Sequence, residues 1–201
     1  MMPLARLISR SLNPLFITFY YLIITLNLST QVVTAIPVKA KWLLLGMVII
    51  TTYIIPALLI TTFASYFQNL LKFTKKEGKI AVMFIAAVFY FLTFHLLNQI
   101  QLSPIFTLFI LGSTTLIGIC ILITLVWNIS IYMVAMGAFV GALLGITFIF
   151  DLNLLFYILL IIAFSGIVGF ARLTQGLHRP AEVYAGFVLG TTVMLLHFLY
   201  I

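Results

Sequence analysis

The sequence predicts an all-α polytopic membrane helix bundle of six to seven transmembrane helices, and three observations predict it. Only 6% of the 201 residues are charged while 65% are hydrophobic, against about 25% charged in an average soluble domain. The mean hydropathy is +1.33. Apolar runs of about 20 residues, the length a hydrocarbon core requires, recur between short polar interruptions along the whole chain. No linker or low-complexity tract separates them, so residues 1–201 read as a single integral membrane domain.

Taken in order, the first segment covers residues 14–36 and is closed by Pro37, Lys39 and Lys41. Asn27, Ser29, Thr30 and Gln31 interrupt it, which suits a tilted, buried or partly re-entrant helix better than a clean span. Arg6 and Arg10 precede it, but no small-residue cleavage site follows, so it is not read as a cleaved leader. Residues 42–70 form the second span, with Pro56 as a kink. The strongest charge run follows, with Lys72, Lys75, Lys76, Glu77 and Lys79. The third span is 80–97 and the fourth 105–126, divided by a polar stretch that ends at Pro104. Trp127, Asn128 and Ser130 mark the next interface, and 131–150 is the fifth span. Asp151 and Asn153 make a tight turn into a sixth that ends near Phe170; residues 183–200 close the chain. Gly137, Gly141 and Gly145, and again Gly186 and Gly190, recur every four residues, a spacing that lets helix backbones approach closely.

The net charge of +7 comes from ten Lys and Arg against three acids. No basic face or aromatic-interleaved groove accompanies it, so nucleic acid is not the expected partner. The cations belong at membrane edges, facing phospholipid headgroups or a phosphorylated ligand. A single cysteine, Cys120, lies within an apolar run, and neither a disulfide within the chain nor a metal or other cofactor is expected.

One stretch gathers chemistry. Arg172, His178, Arg179 and Glu182 bring together two of the ten cations, one of three histidines and one of three acids. Charged groups at a membrane edge are costly unless paired or functional. Pro180 suits the first turn of a helix, which sets His178 just before it and Glu182 inside its first turn, able to reach back to the imidazole. Two helices separate the lysine run from the 127–130 turn, and two more separate that turn from the Arg/His/Glu cluster. All three places are therefore expected at one mouth of the bundle. Such a mouth suits phosphate: Lys75 and Lys79 supply point charge, Arg172 a planar fork, and Ser130 a donor at a helix start. A histidine oriented by a carboxylate is a competent nucleophile or base. The competing structural readings are a lysine loop that faces headgroups and a histidine at a helix end that serves packing, which is the reading of His95 and His197.

The cluster resembles the third motif of the type 2 phosphatidic acid phosphatase family: Ser-Arg, five residues, His, three residues, Asp. Ala171-Arg172, His178 and Glu182 keep that spacing, with Ala for Ser and Glu for Asp, and a Gly-containing helix follows as in the family. The second motif, Pro-Ser-Gly-His, reads Lys-Ile-Ser-Ala-His in a bacterial branch; here Asn128-Ile129-Ser130-Ile131-Tyr132 corresponds, with Tyr132 where the histidine belongs. The first motif, Lys, six residues, Arg-Pro, is represented only by Lys72 or Lys75 and Lys79. The likeness covers residues 50–201, and only its third motif is specific.

The resemblance implies that His178 attacks phosphorus, that Glu182 orients it, and that Arg172 binds phosphate oxygens. The general acid's place is vacant, because a phenol is a far weaker acid near neutral pH than an imidazolium. A diphosphate leaving group needs that proton less than an alkoxide does. The expectation is a lipid phosphate phosphatase-like protein of a cell membrane, by resemblance the bacterial cytoplasmic membrane. It would bind a phosphate or diphosphate headgroup with impaired or absent turnover. The alternative is a non-catalytic lipid-binding or membrane-complex accessory protein of the same fold; a transporter ranks last, because no intramembrane carboxylate relay is present. The cations split evenly between the two sides once site residues are set apart, so orientation stays open.

Overall fold

The computed structural model describes residues 14–28, 31–34, 36–67, 75–100 and 104–200. Arg6, Arg10, Ser29, Thr30 and Lys72 lie outside these. Among the described residues every regular element is helical, and six helical stretches, with Val38–Thr62 counted as one, are long and apolar enough to cross a membrane. The chain is a multi-pass, all-α membrane protein. Helices serve here because hydrocarbon offers no partner to backbone N–H and C=O groups, and a helix satisfies them within itself.

The helices are α1 (Pro14–Leu26), α2 (Gln31–Thr34), α3 (Val38–Ile49), α4 (Ile55–Phe67), α5 (Lys75–Gln99), α6 (Pro104–Val126), α7 (Ile131–Phe150), α8 (Leu155–Thr174) and α9 (Pro180–Tyr200). They fall into two compact units. One is Phe19–Thr124; the other is Leu125–Ile201 with the described residues through Thr18.

In the Phe19–Thr124 unit, α1 ends ahead of Asn27. The Asn27 side-chain amide donates to Ile23 O at 2.8 Å, while the N–H groups of Asn27 and Leu28 turn back to Ile24 O and Thr25 O at 3.1 and 3.2 Å. Such tight bonds end a helix. Lys41 Nζ then covers the terminal carbonyl of Leu26 at 2.9 Å. Lys39 and Lys41 sit in the first turn of α3. Between α3 and α4 the backbone widens into one π-helical turn, Ile50–Ile54, whose wide bond joins the Ile55 N–H to Ile50 O. The wider turn stands immediately before Pro56, whose ring would crowd the carbonyl four residues back in a regular helix. α5 packs on this turn and on α4. Tyr21 ties α1 to α6: its hydroxyl donates to Ile105 O at 2.8 Å, and its ring stacks on Phe109 at 3.7 Å.

The other unit is built on α7, the most buried of the six spans. α7 and α9 lie backbone to backbone. Gly137 faces Phe187 O and Thr191 N, Gly141 faces Thr191 O, Gly186 faces Ser130 O, and Gly190 faces Val134 O and Ala138 N. The four-residue glycine spacing is a packing seam. α7 ends at Asp151, which takes the left-handed conformation (φ 49°, ψ 43°), one that Asp tolerates better than most residues. Asn153 Oδ1 then accepts the Leu155 N–H at 3.3 Å to start α8.

Candidate functional site

α7 begins, α8 ends and α9 begins at one end of the second unit, and the connection from α8 to α9 is short because both its ends are well capped. Gly176 carries φ +64°. Its N–H reaches Leu173 O at 3.0 Å while the Leu177 N–H reaches Arg172 O at 3.3 Å, the paired bonds of a Schellman ending. Pro180 opens α9, where a missing N–H costs nothing. Glycine past one helix and proline inside the next leave His178 and Arg179 between them.

Glu182 closes the arrangement. It occupies the third position of α9, and its Oε2 reaches back to the Arg179 N–H at 3.3 Å, the carboxylate half of a capping box. That same oxygen lies 2.7 Å from His178 Nδ1. Asn128 O stands 3.2 Å from Nδ1 as well. A carbonyl and a carboxylate can only accept, so Nδ1 bears the proton and donates to both. In the neutral ring Nε2 then carries the lone pair. The side chains of the pair are only 8% and 10% exposed.

The segment before α7 is held to the same place. Ser130 donates its backbone N–H to Glu182 O at 3.3 Å. Its side chain is fully buried, makes no cap bond, and its Oγ has no hydrogen-bond partner among the described residues. Tyr132, in the first turn of α7, lies beneath Arg172 of α8, with Cζ 3.7 Å from the ring centroid. Below these groups the three helices meet on apolar side chains: a Cβ on Gly169 would stand 3.3 Å from Val183 Cγ1 and 3.6 Å from Met133 Sδ.

Five of the residues singled out in the sequence, Ser130, Tyr132, Arg172, His178 and Glu182, therefore share one end of a three-helix unit. Lys75 and Lys79 belong to the other unit, where they lie in the first turns of α5. Both were expected in a loop; the helix takes them in, and at 25 residues it exceeds what a core of about 30 Å requires. Two contacts escaped the sequence reading. Asn128 acts through its carbonyl, which no side-chain pattern announces. Tyr132, singled out only as the vacant acid position, lies under Arg172, forty positions away in the chain. No group of three or more His, Cys, Asp or Glu side chains forms among the described residues. Comparison with protein families, curated proteins and solved structures finds no match to this chain.

Chemically the site offers a buried, oriented imidazole, a guanidinium held over an aromatic ring and a buried hydroxyl with no partner among the described residues. These are parts for holding an oxyanion.

Proposed function

We propose that this end of the α7–α9 unit binds the phosphate or diphosphate headgroup of a membrane lipid, as in a lipid phosphate phosphatase-like protein, with turnover through a phosphohistidine slow or lost. The observation that carries this reading is the His178 Nδ1 proton shared between Glu182 Oε2 and Asn128 O, which leaves the lone pair on Nε2. The two acceptors fix the ring and its tautomer, which is what a nucleophilic Nε2 requires.

In the catalytic version Nε2 attacks phosphorus, the N–P bond forms, and the bond to the leaving oxygen breaks with its electron pair on that oxygen. Glu182 stabilises the positive charge on the ring, and Arg172 meets the phosphate oxygens. Water then hydrolyses the N–P bond. The leaving oxygen needs a proton, and help of this kind is worth about 10²–10⁴ in rate. The phenol of Tyr132 supplies it poorly near neutral pH. A lipid diphosphate, attacked at its terminal phosphorus so that the lipid monophosphate leaves, suffers least from the deficit.

A second reading, a non-catalytic lipid-binding or accessory protein, is favoured by the Tyr132 ring lying under Arg172 where the family resemblance calls for an imidazole. Phosphate release from phosphatidate and from a polyprenyl diphosphate decides between them, with purified wild type beside His178→Ala and Tyr132→His. Turnover in wild type that disappears in His178→Ala supports the enzyme. Turnover only in Tyr132→His supports a site kept for binding. Silence in all three, with no phosphate binding, would sink the phosphate reading.

A further inference from the structure

Resting on the reading of this end as a phosphate site, we infer that Tyr132 is a positioning residue for Arg172: it is a platform that holds the guanidinium ready for the anion, and its hydroxyl proton is not what the site uses. Three observations support it. The guanidinium carbon stands 3.7 Å from the ring centroid, well inside the range of about 6 Å in which a cation is attracted to a ring face. Both partners have firm backbones. Tyr132 lies in the first turn of α7, just after the Ser130 N–H bonded to Glu182 O; Arg172 lies in the last turn of α8, with its own carbonyl engaged by the Leu177 N–H. Third, both side chains are half-buried, so the attraction is less screened than on an open surface.

The physical gain is preorganisation. Arginine has a long, many-rotamer side chain, and ordering it on binding costs affinity unless it is ordered beforehand. The guanidinium carries five N–H donors, so a place over the Tyr132 ring and recognition of phosphate oxygens are compatible. An imidazole at position 132 would place a group that gains positive charge beside Arg172. The tyrosine keeps the position uncharged and gives the cation a ring to rest on. Loss of the family's proton donor and gain of a platform are thus one substitution.

The test is binding, measured with two probes that share the phosphate chemistry: phosphatidate in phosphatidylcholine nanodiscs, and inorganic phosphate and diphosphate added to protein in detergent. Tyr132→Phe and Tyr132→Trp keep the ring and are expected to bind within about twofold of wild type. Tyr132→Leu is expected to bind about five- to thirty-fold more weakly; Tyr132→Gln, also ringless, replaces it should the leucine variant fail to fold. In an Arg172→Gln background the leucine substitution should add no further loss, which a general packing defect would not reproduce. The loss should appear with both probes, since Arg172 meets the shared phosphate; loss with the lipid alone overturns the inference. So does an unchanged Tyr132→Leu when Arg172→Gln has abolished binding, and that result leaves the phosphate site standing. Wild type that binds neither probe overturns the site and the inference together.

Discussion

Glu182 Oε2 is 2.7 Å from His178 Nδ1, and it is the same oxygen that takes the Arg179 N–H at 3.3 Å to cap α9. One carboxylate therefore serves the fold and the site at once, and substitutions can separate the two roles. Glu182→Ala removes both and should destabilise the protein by about 1–2 kcal/mol, the range of a lost helix cap plus a lost charge-assisted bond. Glu182→Gln keeps an oxygen for the cap and should cost less than half of that. It cannot stabilise a positively charged His178, so any phosphate release should fall far more than stability does. Denaturation in detergent, read beside turnover or phosphate binding, compares the two; equal losses of stability and function in both variants would contradict the dual role.

Gly176 is the second lever. Its φ of +64° is one that side chains with a Cβ rarely adopt, although no atom lies within 4 Å of where a Cβ would stand. Gly176→Ala should therefore cost about 1–2 kcal/mol from backbone conformation alone, and Gly176→Asn less. Because this turn sets where His178 sits relative to Arg172, the alanine variant should also weaken phosphate binding while the helices remain formed by circular dichroism.

The elements most legible in the sequence were those the membrane dictates. Residues 131–150 were bounded correctly because polar punctuation at Ser130 and Asp151 coincides with the ends of an apolar run of spanning length. Pro180 announced the start of α9, and with it the reach of Glu182 back to His178. Boundaries failed where hydropathy and helix chemistry disagree. The polar ends of α8 and α5, at Arg172 and Lys75, read as loop because they leave the apolar run, yet the backbone stays helical until a cap ends it. For α8 that cap is Gly176, which composition alone does not mark as a left-handed residue. The Asn128 carbonyl and the placement of Arg172 over Tyr132 were not legible. One is a backbone group, and the other pairs side chains brought together only by the packing of α7 and α8.

The glycine seam supplies a prediction about stability alone. A Cβ on Gly190 would run into Val134 O and stand 2.8 Å from Ala138 N, both backbone atoms that cannot swing aside. Gly190→Ala should push α9 off α7 and destabilise by about 1–3 kcal/mol, the usual cost of overpacking. Gly166 of α8 is the control, since nothing lies within 4 Å of its added Cβ. Gly166→Ala should be neutral or stabilising by up to about 1 kcal/mol, as expected for glycine replaced inside a helix. Thermal unfolding in one detergent ranks the pair, and the opposite order would refute the seam.

Ser130 sets function against stability most sharply. Its hydroxyl is fully buried, takes no part in capping α7, and has no partner among the described residues. Burying a hydroxyl without a hydrogen bond costs about 1–3 kcal/mol, so by itself this atom weakens the folded state. Ser130→Ala removes the hydroxyl and leaves the backbone N–H that binds Glu182 O. The variant should therefore be at least as stable as wild type, by up to about 1–2 kcal/mol. If the hydroxyl donates to a phosphate oxygen, the same variant should bind phosphatidate about 10-fold more weakly, the equivalent of one such bond to a charged group. A more stable protein that binds less well is the signature of a residue kept for its ligand. A stable variant with unchanged binding would make Ser130 a tolerated flaw of the core, and a destabilised one would mean that its hydroxyl serves the fold.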